Sequence, residues 1–222
     1  MAEAMTEQSN PPSPSAFPGR PSAPSAAPLT ERQEARRRRI LEASAELARR
    51  GGFEAVQMRE VAESSNVALG TLYRYFPSKV HLLVATMYDQ LERLHGTLHS
   101  RPPREAEPAA RVAQTLLRAF RSLRRDPNLA DAMLRAFTFA DRSAGPEVDA
   151  VSRLTAAIVL DAMGRREPPT PELLSVVRVV GHTWHSALIA WISGRASVEQ
   201  VHTDIGTVCA LIPGGAPETA RR

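Results

Sequence analysis

A single cysteine, Cys209, is all the thiol chemistry in this chain of 222 residues. An intrachain disulfide is therefore excluded, and so is a zinc site built on cysteines. Cys209 lies in an apolar stretch and reads as a small buried hydrophobe. Lysine is as scarce: of 28 basic residues only Lys79 is a lysine, the rest being arginine. No apolar run approaches the roughly 20 residues that span a bilayer, so the expected location is the cytoplasm, away from any membrane. There is no alternating strand pattern of useful length and no repeat of fixed period. Asp126, Asp131 and Asp141 have no nucleophile motif beside them, so an enzyme is not expected. His95 and His99 stand four apart, and His182 and His185 three apart. Neither pair has an acidic or cysteine partner at ligand spacing, so neither a metal nor a cofactor is expected.

Residues 1–29 contain seven prolines among Ser and Ala. Such a segment cannot bury enough apolar surface to offset its ordering entropy and reads as a disordered tail. It has no basic start followed by an apolar run, so it does not read as a signal peptide. The net charge of +4 is mild, and its distribution is more informative. Arg36, Arg37, Arg38 and Arg39 run together, either as a solvated helix face or as contacts to phosphate.

The rest predicts an all-α protein of about nine helices. Thr30 is placed to cap a helix whose apolar residues Ile40, Leu41, Ala45, Leu47 and Ala48 follow 3.6 spacing. Gly51-Gly52 is a left-handed terminator. A long helix follows Pro77-Ser78, and further helices are expected at 107–124, 127–139, 146–164, 171–193 and 197–212, with prolines near their starts or just past their ends. The expected domains are 30–80 and 81–213, with the boundary inside the helix after Ser78 and a flexible tail at 214–222.

Residues 57–79, QMREVAESSNVALGTLYRYFPSK, carry the chemistry. Two short helices about a turn at Ser65-Asn66-Val67 make a helix-turn-helix, and Asn tolerates a left-handed turn backbone. Leu72 and Phe76 are four apart and face inward with Val61, Ala62 and Val67. Leu69, Gly70, Thr71, Tyr73 and Arg74 are left on or near the outer face. Such a face is odd for a solvated surface. It suits a major groove, where small residues allow close approach and apolar groups meet thymine methyls. Arg59 is placed to reach a base edge or a phosphate, and the hydroxyls of Tyr73 and Tyr75 to reach phosphates. Lys79 at a helix N-terminus forms a phosphate clamp.

The run VALGTLYRYFPSK at 67–79, after a basic first helix and the Gly51-Gly52 break, resembles the DNA-binding domain of the TetR family. That resemblance covers about residues 31–100. It implies a three-helix DNA-binding domain, a helical ligand-binding and dimerisation domain, and a homodimer on palindromic operator DNA. It also implies Arg59, Leu69, Gly70 and Thr71 near base edges, and Gln57, Tyr73, Tyr75 and Lys79 near phosphates. Two positions depart from the family pattern: Asn66 replaces a turn glycine, and His81 replaces the acidic residue of a capping box with Ser78. The segments GGFEAVQMREVA, PSKVHLL, DAM at 131–133, FAD at 139–141 and the pair Trp184 and Trp191 are similar to one branch of the family. That branch represses sterol catabolism genes in actinobacteria. The similarity implies release from DNA by a sterol-derived CoA thioester.

The C-terminal half carries Met133, Phe137, Phe139, Trp184 and Leu188 as candidates to line a pocket for a large apolar ligand, with ordinary core as the bland alternative for each. Arg135 and Arg142 are candidates for its mouth. Apolar stripes run along 173–180 and 205–212, and the first is too broad for one buried face. Three rival readings stay open: a TetR repressor for another lipid or drug-like ligand, a helical enzyme acting on acyl-CoA-like substrates, and a helical interaction or acyl-CoA-binding protein that does not bind DNA.

Overall fold

A computed structural model describes residues 30–165 and 167–214. The expected tails at 1–29 and 215–222 lie outside the described residues. Helices are α1 (Glu31–Ala55), α2 (Met58–Ser64), α3 (Leu69–Tyr75), α4 (Lys79–Ser100), α5 (Pro108–Leu123), α6 (Pro127–Thr138), α7 (Gly145–Met163), α8 (Pro171–Ile192) and α9 (Val198–Cys209). A 3₁₀ turn, Arg142–Ala144, precedes α7. No strand occurs among the described residues.

Local signals place the ends. Thr30 makes a full capping box: its hydroxyl accepts from the Gln33 amide, and the Gln33 side chain accepts from the Thr30 amide. Ser78, Thr170 and Ser197 cap α4, α8 and α9. Prolines occupy the first turns of α5 to α8, where no donor is missed. α1 kinks at Gly52, whose φ of 67° and ψ of −155° lie in a region that only glycine adopts readily. The kink turns residues 53–55 back toward α6. No local sequence signal marks the 3₁₀ turn. Asp141 caps it by accepting from both the hydroxyl and the amide of Ser143, and these bonds hold its carboxyl below the ordinary carboxylate range.

The core has two parts. The first joins Ile40, Leu41, Val56, Val61, Leu72 and Phe76 of the head to Leu82, Leu83 and Val84 of α4, and is completed by Leu129, Ala132, Met133 and Ala136 of α6 and Val151 of α7. The second unites α5, α7, α8 and α9 around Phe120, Met163, Trp184 and Ile205. Polar contacts reinforce the first. Asn128 on α6 donates to the Arg49 carbonyl at 3.0 Å, and Thr86 on α4 donates to the buried Ser44 hydroxyl at 3.2 Å. His81 joins Ser78 on one side to the Ser143 carbonyl, at 3.2 Å, on the other. Cys209 is buried in the second part, and desolvation pushes its thiol up to about 11.

α8 departs from expectation. An 18-residue stretch within its 22 residues has a mean hydropathy of 1.2, long and apolar enough by composition to cross a bilayer, yet only 33% of that stretch is buried in the protein. Leu174 and Val179 face outward, beside Ser175, Arg178 and His182.

Candidate nucleic-acid interface and ligand cavity

The helix-turn-helix turns at Asn66, whose φ of 53° is the left-handed conformation its residue type tolerates. The Val67 amide donates to the Ala62 carbonyl at 3.0 Å, and the buried Ser65 hydroxyl donates to the Val61 carbonyl at 2.6 Å. These bonds close the end of α2 and set the turn that leads into α3. Leu72 and Phe76 are buried as their spacing predicts. Gly70, Tyr73 and Arg74 are exposed, Leu69 and Thr71 half-buried. A Cβ built on Gly70 meets nothing within 4 Å. Gln57 and Arg59 are also exposed at the start of α2, and Gln57 makes no side-chain cap bond. Of the face expected to read a groove, Gly70, Tyr73 and Arg74 are turned outward, Thr71 is half-buried and Leu69 packs partly against the first core.

Two residues expected near phosphates have partners within the protein. The Tyr75 hydroxyl points along the head and donates to the Gln33 carbonyl at 3.5 Å. Lys79 folds inward: its Nζ donates to the Phe53 carbonyl at 3.1 Å, lies 4.1 Å above the centre of the Phe53 ring and is 4.0 Å from Glu54 Oε2. The Gly52 kink causes this, because it delivers a carbonyl, a ring and a carboxylate to the first turn of α4. The ammonium has three donors, and the Phe53 carbonyl takes one.

A cavity of about 360 Å³ opens between α4, α5, α6 and α8. Met87, Leu91, Leu94 and Leu98 of α4 form one wall, with Leu129, Met133 and Leu134 of α6 and Trp184 and Leu188 of α8 opposite. Met133, Trp184 and Leu188, expected at a pocket, all line this cavity. Phe137 is not: it lies one turn past the cavity end of α6 and meets the His185 ring edge-on at 4.9 Å. Burial first, and His182 second, hold that histidine below its ordinary range. Phe139 ends α6 outside the cavity and is 74% exposed. The expected mouth residues also differ. Arg135 lies across α6 from the cavity and pairs with Glu54 at 3.2 Å, and Arg142 belongs to the 3₁₀ turn. The cationic lining comes instead from Arg93, Arg101 and Arg118. The α4 wall was visible as a repeat of apolar residues, but a repeat does not distinguish core from cavity.

A second hollow adjoins the first, sharing Thr97, Arg101 and Arg118 and adding Arg104 and Pro102-Pro103. Arg118 is braced, donating to the Arg101 carbonyl at 3.0 Å and to Gln114 at 2.9 Å. Arg93 is neutralised by Asp89 at 3.0 Å. The guanidinium groups of Arg101 and Arg104 meet no acceptor among the described residues. An apolar chamber with uncompensated cations at one end fits a ligand with an apolar body and an anionic end.

Comparison with known proteins gives a consistent picture. Residues 40–86 match the model for bacterial regulatory proteins of the tetR family, and residues 106–212 match the tetracyclin repressor-like C-terminal domain. The transcriptional repressor KstR of Rhodococcus jostii is 46% identical over 182 residues, 82% of this chain and 84% of that protein. KstR of Mycobacterium tuberculosis is 41% identical over 185 residues, 83% of this chain and 84% of its own. The crystal structure of a TetR transcriptional regulator from Rhodococcus sp. RHA1 is 39% identical with a TM-score of 0.77, covering 82% of this chain and 97% of that one.

Proposed function

Since the chain belongs to the TetR family of transcriptional regulators, we propose that it is a homodimeric repressor that binds a palindromic operator and controls sterol catabolism. A sterol-derived CoA thioester releases it. The observation that carries the DNA-binding part is the outward face of α3, with Gly70 unobstructed and Tyr73 at 46% exposure. The sterol part rests on identity to KstR repressors that runs through both halves of the chain. Genome-wide mapping of bound sites in the source organism tests it. Sites upstream of sterol-degradation genes are expected, and sites confined to unrelated genes would remove the sterol assignment.

The inducer's ring system belongs in the apolar chamber, where each Å² of apolar surface withdrawn from water contributes about 25 cal/mol. Its phosphates belong with Arg101, Arg104 and Arg118. A ligand there bears on α4, which begins at the head, and on α6, which packs against the head. It shifts the protein away from DNA to the extent that it binds better when the heads stand apart.

The arginine end gives a measurable prediction. Arg101→Glu with Arg104→Glu weakens binding of a sterol CoA thioester by about tenfold or more, as expected for losing charge-assisted contacts. The same pair leaves binding of the corresponding free sterol acid within about twofold, a change too small to register against the scale of one such contact. Thermal shift reads both, because stabilisation follows the ratio of ligand concentration to Kd. Equal weakening of the two ligands would show general damage to the cavity. Preferential stabilisation of the native protein by plain fatty acyl-CoA would assign the chamber to another lipid.

A further inference from the structure

Lys79, Phe53, Glu54 and Arg135 form one cluster where the head meets α6. The Phe53 ring has the Lys79 ammonium 4.1 Å from its centre and the Arg135 guanidinium 4.8 Å from it. Glu54 joins the two cations, with Oε1 3.2 Å from Arg135 and Oε2 4.0 Å from Lys79. Asp131 backs Arg135 at 3.8 Å. A ring face attracts a cation, but two cations sharing it repel each other, and the carboxylate between them makes the arrangement stable. One carboxylate therefore divides its charge between a helix of the ligand domain and the only lysine of the chain.

The division is tied to the cavity. At roughly 100° per residue, Asn128, Asp131 and Arg135 occupy one side of α6, while the cavity residues Asp126, Leu129 and Met133 occupy the other. α6 also rests on the kink: a Cβ at Gly52 would lie 3.4 Å from the Asp131 carboxylate. A shift of α6 against the head, in opening or filling the cavity, would move Arg135 relative to Glu54.

We infer that Arg135 and Glu54 are positioning residues that set how much of the Lys79 charge is available to operator DNA, an inference that rests on the regulator reading above. With Arg135 holding Glu54, the carboxylate is satisfied from the α6 side, and Lys79 turns its two remaining donors to a phosphate. When α6 withdraws Arg135, Glu54 falls to Lys79 alone and competes with the phosphate for it. Glu54 is thus an intramolecular rival of DNA, and Arg135 keeps it occupied. These groups are 75%, 42% and 26% exposed for Glu54, Arg135 and Lys79. Pairs of that exposure contribute little to stability, so their loss leaves the fold intact while changing the competition.

The test uses full-length protein and a duplex enriched from a random library by the wild type. Arg135→Gln weakens binding about tenfold, and the slope of log K against log salt becomes shallower by about two, one phosphate from each head of a dimer. Glu54→Gln binds as tightly as wild type or tighter. The double variant Arg135→Gln/Glu54→Gln recovers the affinity and slope of Glu54→Gln. A double variant as weak as Arg135→Gln would mean that Arg135 acts through packing alone and would overturn the inference, as would an Arg135→Gln protein with wild-type affinity and slope. Melting curves confirm that each variant is folded. Failure of the wild type to enrich any duplex would instead remove the regulator reading itself.

Discussion

Gly70→Glu is expected to abolish specific operator binding while leaving the melting temperature at or above that of the wild type. Gly70 is exposed in the first turn of α3, and an added Cβ finds open space. Replacing glycine within a helix relieves a backbone entropy cost of roughly 0.5–1 kcal/mol, and an acidic residue in the first turn suits the helix dipole. Nothing in the free protein opposes the substitution. In a groove it introduces a carboxylate and its stem where the helix backbone has to approach base edges, between two rows of phosphates. Affinity should fall to the non-specific level, about a thousandfold or more below specific binding. Fluorescence anisotropy on the selected duplex reads the loss, with Gly70→Ala as a milder control. A Gly70→Glu protein that still binds tightly would mean that α3 is not the helix in the groove.

The second large effect concerns assembly. Leu173, Val177, Val180 and Trp184 bury one side of α8 in the second core. Leu174 and Val179, on its other side, are 45% and 42% exposed, and Leu211 beyond α9 is 58% exposed. That outward side also carries Ser175, Arg178 and His182, and a second copy of the same surface, meeting it with two-fold symmetry, would cover its apolar positions. Leu174→Glu with Val179→Glu should convert a dimer to a monomer at micromolar concentration, as light scattering would show. Buried like charges facing each other across the symmetry axis are costly. Operator affinity should fall with it by at least about a hundredfold, because the second head no longer benefits from the first being bound. If the double variant stays dimeric, the interface lies elsewhere.

Much of this was legible without coordinates. Helix ends were readable because they are set by local chemistry: the Thr30 cap and the prolines in first turns are one-residue signals, whereas Gly51-Gly52, expected to end α1, kinks it and the helix resumes to Ala55. The inward pair Leu72 and Phe76 followed from spacing alone. What failed to show were choices made by distant partners. Nothing local says that Lys79 meets a carbonyl 26 residues earlier, or that Tyr75 meets one 42 residues earlier. The cavity was half visible for the same reason. Met133 and Trp184 were found on type, but the apolar repeat of α4 has the same pattern whether it faces a neighbour or an empty chamber. Phe139 shows the converse: an aromatic residue next to a pocket-lining helix lies outside the pocket because α6 ends one residue before it.

The packing of α6 against the head also bears on how the chain is made. The apolar residues of α1 rest in part on Leu129, Ala132, Met133 and Ala136, which leave the ribosome long after residue 80. Through that interval the nascent head exposes the surface that α6 will cover, a condition that favours aggregation and chaperone capture. Contacts spanning such separations also slow folding. Weakening the hold of α6 on the head should therefore lower the yield of soluble protein in the cell more than it lowers the stability of the molecules that finish folding.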